Sequence, residues 1–151
     1  MNKNAINNDE FFSIGRGPLG YLLRQAANVY RTRMETALQP MDVTGPQFTI
    51  LKIIAQRPDC SNADVARLAL LTPQTVSLIV AKLADLGLVE KEAHPVYKRV
   101  QVLRITVLGQ SVLAECDVTV DGLEADLLVG FSDAEMAVVR RWIAHVIEPH
   151  K

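Results

Sequence analysis

The sequence predicts a mainly α-helical protein with a small β-hairpin, and three observations lead to that fold class. Residues 61–91 have the pattern of two short helices joined by a tight turn and followed by an extended stretch. Two segments with strand character, 88–93 and 98–106, follow the second of these helices. Longer segments with helical spacing of apolar residues lie on both sides. The predicted order is therefore four helices, a hairpin and two further helices.

Two helices are predicted before the tight turn. Apolar residues recur at helical spacing from Pro18 to Leu38, which indicates a long first helix. Thr44 and Gln47 have the spacing of a capping box and predict the start of a second helix. Pro58 limits this second helix at its carboxyl end.

The helix-turn-helix is predicted from its caps and its apolar spacing. Ser61 can cap the third helix. The turn follows at residues 70–71, and Thr72 is the predicted N-cap of a fourth helix that ends at Gly87. Helical spacing predicts one buried face for the fourth helix, made of Val76, Ile79, Val80, Leu83 and Leu86.

Two helices are predicted after the hairpin. The helix that begins at Val107 has a seam with coiled-coil spacing, formed by Leu113, Cys116, Val120, Leu123 and Leu127. Ser132 and Glu135 form another capping box and open the last helix, which carries Trp142 on its apolar face. An apolar seam of this kind requires a partner helix.

Length and composition narrow the class of protein. The 151 residues are enough for one domain with its own core. No apolar run approaches the roughly 20 residues of a membrane span, and the polar start lacks the apolar segment of a secretion signal. Cys60 and Cys116 lie far apart and form no metal-ligand set with the histidines. We therefore expect a reduced, cytoplasmic protein without membrane contact, metal or cofactor.

Charge is unevenly distributed along the chain. The formal net charge is −1 for the whole sequence. Residues 57–106 hold seven bases and five acids, whereas residues 107–151 hold three bases and eight acids. The acidity therefore lies away from the helix-turn-helix, although this modest bias does not by itself establish nucleic-acid binding.

The outward face of the fourth helix carries side chains that can reach DNA. Gln74 suits adenine, Leu78 a thymine methyl and Lys82 a phosphate. In the hairpin, a basic pair lies at the start of the second predicted strand, where it can reach phosphates or a minor groove. The alternatives are an ordinary surface helix and a solvated pair of charges. The predicted DNA-binding residues are Thr72, Gln74, Thr75, Ser77, Leu78, Lys82, Lys98 and Arg99.

Four segments together cover nearly the full length of the chain: GPLGYLLRQAANVYR, DVTGPQFTILKIIA, TPQTVSLIVAKLADLGLVEK and KRVQVLRITVLGQ. In these segments the sequence resembles the MarR family of transcriptional regulators. The resemblance implies one MarR-type unit over residues 1–151. Within it, a winged helix-turn-helix DNA-binding lobe spans about 44–106, and an intertwined helical dimerisation region spans about 11–40 and 107–151. It also implies a homodimer that represses transcription from a pseudo-palindromic operator in double-stranded DNA. This repression is commonly relieved by a small molecule.

Two positions depart from the pattern of the family. Leu78 stands where the recognition helix of family members usually has an arginine, so one expected polar contact is absent. Tyr97 stands before the basic pair of the wing, where the family favours an aspartate. The wing therefore lacks the acidic anchor that the family pattern provides.

The resemblance also implies an effector site. Family members that sense phenolic or aromatic carboxylate ligands bind them between the dimer helices and the DNA-binding lobe. Arg16 resembles a carboxylate-binding arginine of that crevice, and a solvated charge at the helix start is the alternative. The predicted ligand-binding residues are Ser13, Arg16, Tyr21, Arg24 and Tyr30.

Three alternative functions come from other classes. A winged helix that binds protein instead of DNA would fit Leu78 and the near-neutral charge. A redox-sensing regulator would use Cys60, the more exposed cysteine by prediction, because Cys116 lies on the apolar seam. No nucleophile elbow, phosphate loop or paired-carboxylate signature appears in the sequence, so an enzyme is not indicated.

Overall fold

A computed structural model describes residues 15–148 and confirms the predicted order of elements. A single 3₁₀ turn, Gln39–Met41, follows the first helix, and the two strands form an antiparallel pair. The elements are α1 (Leu19–Leu38), α2 (Gly45–Gln56), α3 (Asn62–Ala69), α4 (Pro73–Asp85), β1 (Val89–Ala93), β2 (Gln101–Ile105), α5 (Val107–Leu128) and α6 (Asp133–Ile147).

Local side-chain chemistry fixes where the helices begin. At the start of α2, the Thr44 N–H donates to Gln47 Oε1 at 2.9 Å and Thr44 Oγ1 accepts from the Gln47 N–H, as the predicted capping box requires. Ser61 and Asp64 form the same reciprocal pair at the start of α3. The hydrogen bonds that Ser61 donates lower the pKa of the Asp64 carboxyl, because they favour its charged form.

The turn between α3 and α4 redirects the chain by 112°. Leu70 ends α3 in the left-handed conformation with a φ of 54°, and its backbone N–H donates to the Ala66 carbonyl. Thr72 then caps α4 by accepting the Thr75 N–H at 3.2 Å. The predicted turn and N-cap are both confirmed, and the bend has the angle expected between the helices of a helix-turn-helix.

The core of the lobe lies between α2, α3, α4 and β2. Its fully buried side chains include Leu51 from α2, Val65 from α3, Leu83 from α4 and Leu103 from β2. Leu86 was predicted to belong to the buried face of α4 but is 40% exposed. It lies at the C-cap, beyond the last full turn of the helix, where helical spacing no longer determines which way a side chain faces.

A tight joint connects the hairpin to α5. The Leu88 carbonyl accepts the Thr106 N–H at 3.1 Å, and Thr106 Oγ1 donates to the Gly87 carbonyl and accepts the Gly109 N–H. Gly109 lies so close to Leu88 that a Cβ there would fall 2.1 Å from the Leu88 carbonyl oxygen. The lobe and α5 are therefore fixed to each other through backbone contacts.

The terminal helices leave much apolar surface uncovered in the single chain. The seam of α5 is buried at Leu113, Cys116 and Val120, but Leu127 is 45% exposed. Helix α6 contains no buried residue, although its apolar spacing is as predicted. Among the described residues, no single helix has the length and apolar composition of a membrane span; α3 and α4 satisfy that test only as a bent pair.

Candidate nucleic-acid interface

Helix α4 has one buried face and one exposed face, as its sequence predicts. Val76 and Val80 are fully buried, whereas Leu78 on the other side is 74% exposed. The predicted reading residues Gln74, Thr75, Ser77 and Lys82 are also exposed. A helix held by its apolar face, with small and polar residues on the opposite face, has the shape needed to enter a major groove.

The amino end of α4 carries two linked hydroxyl groups. Thr72 Oγ1 accepts the Thr75 N–H at 3.2 Å, and the two threonine hydroxyls share a hydrogen bond of 2.8 Å. This pair occupies the positive end of the helix dipole, a position that favours a phosphate. Thr72 is therefore both the cap of α4 and available to a backbone phosphate through its exposed side.

The rest of the exposed face contacts neighbouring elements on two sides. Asn62 Nδ2, at the start of α3, lies 3.5 Å from Ser77 Oγ and can donate to it. On the other side, Leu78 and Lys82 line a groove of about 470 Å³. The groove lies between α4, the end of α1 and the start of α2, and its other lining residues are Glu35, Thr44, Pro46, Gln47 and Ile79.

The turn of the hairpin presents the basic pair. Val100 donates its backbone N–H to the Tyr97 carbonyl at 2.7 Å, which closes a four-residue β-turn with Lys98 and Arg99 at its two central positions. Both cations are exposed. The prediction that they lie at the start of a strand was wrong, because the chain completes this turn before β2 begins at Gln101.

Arg104 connects the hairpin to the rest of the lobe. Its guanidinium forms ion pairs with Asp59, in the loop between α2 and α3, at 2.8 Å and with Glu92 of β1 at 3.0 Å. Sequence analysis missed this cluster. The strand register places Glu92 diagonally across from Arg104, which would have indicated one of the pairs, whereas the Asp59 contact depends on the tertiary fold.

A second candidate site is an apolar cavity of about 640 Å³ beside α1. Of the predicted ligand residues that the structure describes, only Tyr30 lines it. Its hydroxyl donates to the Glu124 carboxylate of α5, and burial, together with this contact, raises the pKa of Tyr30 to about 12. The phenol therefore remains a donor at neutral pH. The lining residues are Gly15, Leu22, Gln25, Ala26, Asn28, Val29, Tyr30, Arg33 and Leu127.

Three other predicted ligand residues, Arg16, Tyr21 and Arg24, do not line the cavity. Arg24 places its guanidinium 5.5 Å from the centre of the Tyr21 ring, although their helix neighbours Leu22 and Gln25 do line the cavity. Arg16 is exposed before the helix, and Ser13 lies outside the described residues. Sequence analysis missed Arg33, the cation that does line the cavity. Its spacing of three residues from Tyr30 on a helix would have indicated it.

The two cysteines are free and buried. Cys116 is packed on the seam of α5, as predicted. Cys60 is the more exposed of the two cysteines, as predicted, at 6% against 0%, but it is also buried, because its backbone pairs with Leu103 and seats it in the core. Burial raises the pKa of both thiols, which disfavours the reactive thiolate. Over residues 15–148, no cluster of three or more histidine, cysteine or acidic side chains is arranged to hold a metal ion.

An exposed recognition helix, held beside a hairpin with a basic turn, defines a winged helix-turn-helix protein of the DNA-binding class. The pattern of the MarR family matches residues 41–99. The HTH-type transcriptional repressor Rv2887 of Mycobacterium tuberculosis is 30% identical over 126 residues, which are 83% of this chain and 91% of that protein. The chain belongs to the MarR family of DNA-binding transcriptional regulators.

Solved structures extend this likeness to the whole architecture. Rv2887 in complex with DNA has a TM-score of 0.69 and 28% identity, over 87% of this chain and 99% of that chain. Rv2887 with p-aminosalicylic acid has a TM-score of 0.68 and 29% identity, over 87% and 100%. Bordetella bronchiseptica BpsR, in a study of regulation by 6-hydroxynicotinic acid, has a TM-score of 0.81 over 88% and 95%; at 19% identity, it supports the fold alone.

Proposed function

We propose that this protein is a repressor that binds a pseudo-palindromic operator as a homodimer and is released by a small aromatic or phenolic ligand. The proposal rests on the exposed face of α4, since the opposite face of this helix is packed into the core. Two such helices, related by a two-fold axis, would enter successive major grooves about one helical turn apart. The relative Rv2887, named as a repressor and solved with DNA, supports this reading.

The contacts to DNA divide into two kinds. Gln74 and Leu78 are the proposed base contacts, since an amide can pair with adenine and an apolar side chain can pack on a thymine methyl. Thr72, Thr75, Ser77 and Lys82 surround them, with Lys82 on a phosphate. Lys98 and Arg99 extend from the wing turn to the flanking backbone. Phosphate contacts of this second kind set the salt dependence of binding.

A second copy of the chain is the proposed partner of the terminal helices. Helix α6 has 15 residues and none of them is buried, yet isolated helices of this length are marginal in water. It exposes six large apolar side chains: Val138, Val139, Trp142, Ile143, Val146 and Ile147. We therefore assign residues 11–40 and 107–151 to dimerisation and residues 44–106 to the DNA-binding lobe, within one unit of residues 1–151.

The effector site is proposed at the cavity beside α1. Its wall is mostly apolar, which suits an aromatic ring, and Arg33 supplies a cation for a carboxylate. Tyr30 and Glu124 join α1 to α5 at this point, so a ligand that displaces their contact would alter the packing of the two helices. A ligand releases the operator only to the extent that it prefers the form that does not bind DNA. Ser13, Arg16, Tyr21 and Arg24 remain predicted contacts.

The DNA proposal is tested by titration against the segment upstream of the protein's own gene. Gln74→Ala should change which bases are preferred, with little effect on random DNA. Arg99→Ala should weaken binding to every sequence and lower the slope of log affinity against log salt by about two, one for each chain of the dimer. If the two variants acted equally on specific and random DNA, this division of contacts would be wrong. If low-salt titrations showed no specific binding at all, the protein-binding alternative would replace the proposal.

The effector proposal is tested with salicylic acid and p-aminosalicylic acid, each of which is present in a solved complex of the relative Rv2887. Each compound should raise the melting temperature and displace operator DNA from the wild-type chain. Arg33→Met should abolish both effects. Arg31→Met is the matched control, because Arg31 is on the same helix but pairs with Glu35 and does not line the cavity. Equal effects of the two variants would remove Arg33 from the site.

A further inference from the structure

The wing turn is held by a histidine that neither the recognition helix nor the cavity uses. His94 follows β1 directly, and its side chain is half-buried. Its ring nitrogen Nδ1 accepts two backbone N–H groups, from Val96 at 3.1 Å and from Tyr97 at 3.0 Å. The ring also lies against the Tyr97 ring, with a distance of 5.3 Å between centroids. These bonds fix the residues that lead into the basic turn.

The two ends of the loop are tied together in the same place. The His94 N–H donates to the Val100 carbonyl at 2.8 Å, and the Val100 N–H donates to the Tyr97 carbonyl at 2.7 Å. Tyr97 is therefore both the first residue of the turn that carries Lys98 and Arg99 and one of the two residues that His94 holds. The imidazole therefore holds the residue at which the turn with both cations begins.

The family pattern has an aspartate immediately before the basic pair, and this chain has Tyr97 there. An aspartate orients its surroundings by accepting hydrogen bonds, and His94 Nδ1 is also an acceptor, placed three residues earlier along the chain. We infer that His94 is the positioning residue of the wing and that it holds Lys98 and Arg99 toward DNA only while its ring is neutral. This inference rests on the proposed DNA contact of the basic pair.

Protonation would reverse the role of the ring. A neutral imidazole can accept at Nδ1 when its proton is on Nε2, but the imidazolium donates from both nitrogens. A proton on Nδ1 would then point at two N–H donors, so both bonds would be lost. Histidine is the side chain that changes charge between pH 5 and 8. Binding through the wing should therefore weaken when the ring is protonated.

The charged groups beside His94 on the hairpin do not supply another acceptor for the loop. Glu92 is paired with Arg104, and Lys98 and Arg99 are cations. Over residues 15–148, the side-chain hydrogen bonds and ring contact of His94 are all with its own loop. The added charge of an imidazolium would also lie beside two other cations, which further disfavours the closed loop.

The experiment compares His94→Asn and His94→Ala with the wild-type chain on the same DNA at pH 7.5 and 5.5. The asparagine Oδ1 can accept the same two N–H groups but does not titrate, whereas alanine has no acceptor. We expect wild-type affinity to fall at least about threefold to tenfold at pH 5.5, since the loss of even one of the two hydrogen bonds is of that scale. His94→Asn should bind as the wild type does at pH 7.5 and should not change with pH. His94→Ala should be weak at both values.

A second measurement reads the loop without DNA. The amide NMR signals of Val96 and Tyr97 should shift with the same midpoint as the His94 ring, and they should be constant in His94→Asn. Amide signals of Val96 and Tyr97 that stay constant while the signals of the His94 ring change with pH would overturn the inference. Wild-type binding that tightens at pH 5.5 would also overturn it. So would a His94→Asn variant that keeps the pH dependence or binds as weakly as His94→Ala. Normal binding of His94→Ala at pH 7.5 would have the same meaning. Absence of any DNA binding at pH 7.5, with the NMR shifts intact, would instead count against the proposed function.

Discussion

The DNA-binding lobe and the terminal helices cover their apolar side chains in different ways. In the lobe, α2, α3, α4 and β2 cover one another, so that Leu51 and Leu83 are fully buried within one chain. Helix α6 repeats the same apolar spacing, but Trp142 is 37% exposed and no residue of the helix is buried. Amphipathic spacing therefore predicts which face of a helix will be covered, without specifying what covers it.

The largest effect on stability is expected at the joint between the DNA-binding lobe and α5. Gly109→Ala places a Cβ 2.1 Å from the Leu88 carbonyl oxygen, and backbone must move to admit it. We expect a loss of more than about 4 kcal/mol of unfolding free energy in urea titrations, enough to separate α5 from the lobe. Gly122→Ala is the control on the same helix: its Cβ would meet no atom of the chain within 4 Å, so it should stabilise the protein by up to about 1 kcal/mol. A stabilising Gly109→Ala would show that the joint is loose.

Truncations in the two regions should separate folding from assembly. Leu83→Ala removes a fully buried side chain and should cost about 2–5 kcal/mol of unfolding free energy, with little change in the dimer dissociation constant. Trp142→Ala should raise that dissociation constant by about tenfold, as the loss of an aromatic interface contact does. Sedimentation equilibrium measures the constant for both variants. If Leu83→Ala also raised it tenfold, assembly would not be confined to the terminal helices.

A smaller effect is expected at the turn of the helix-turn-helix. Leu70 is 85% exposed and holds a left-handed φ of 54°, which costs a residue with a side chain about 1–2 kcal/mol. Leu70→Gly relieves this strain but adds freedom to the unfolded chain, so we expect a net stabilisation of about 1 kcal/mol. Thermal unfolding measures it. A destabilised variant would mean that the Leu70 side chain is covered in solution.

The smallest effect on stability is expected at two equivalent helix caps, one in the lobe and one in α6. Hydrogen bonds from Ser61 lower the pKa of Asp64 in the lobe, and those from Ser132 lower the pKa of Glu135 in α6. A lowered folded-state pKa stabilises the protein above the ordinary value, which is 3.8 for Asp64, and this contribution disappears as the pH falls through the lower value. Asp64→Asn and Glu135→Gln should each flatten the acid side of the stability curve. An unchanged curve would exclude that cap as a source of acid sensitivity.

Features that depend on neighbours in sequence were predictable. The capping boxes predicted at Thr44 and Ser132 and the cap predicted at Ser61 rest on contacts between residues three apart, and all three are present. The buried face of α4 followed from helical spacing, except for Leu86 at the helix end. The MarR resemblance and the order of elements likewise rested on patterns that run along the chain.

Features that depend on distant contacts were not predictable. Cys60 is buried because its backbone pairs with Leu103, a contact across more than forty residues that no local pattern reveals. The pairing of Arg104 with Asp59 has the same origin. His94 is different: its bonds to Val96 and Tyr97 are local, but the sequence does not indicate that one ring nitrogen accepts both of these N–H groups.

In the proposed complex, each lobe reads one half-site and the terminal helices join two chains. The most direct measurement is the stoichiometry of the specific complex, from sedimentation of the chain with an operator duplex and with a duplex cut to one half-site. We predict two chains of 16.7 kDa on each operator, and a dimer in the free protein as well. One chain bound to each operator, with a monomer in free solution, would contradict the account.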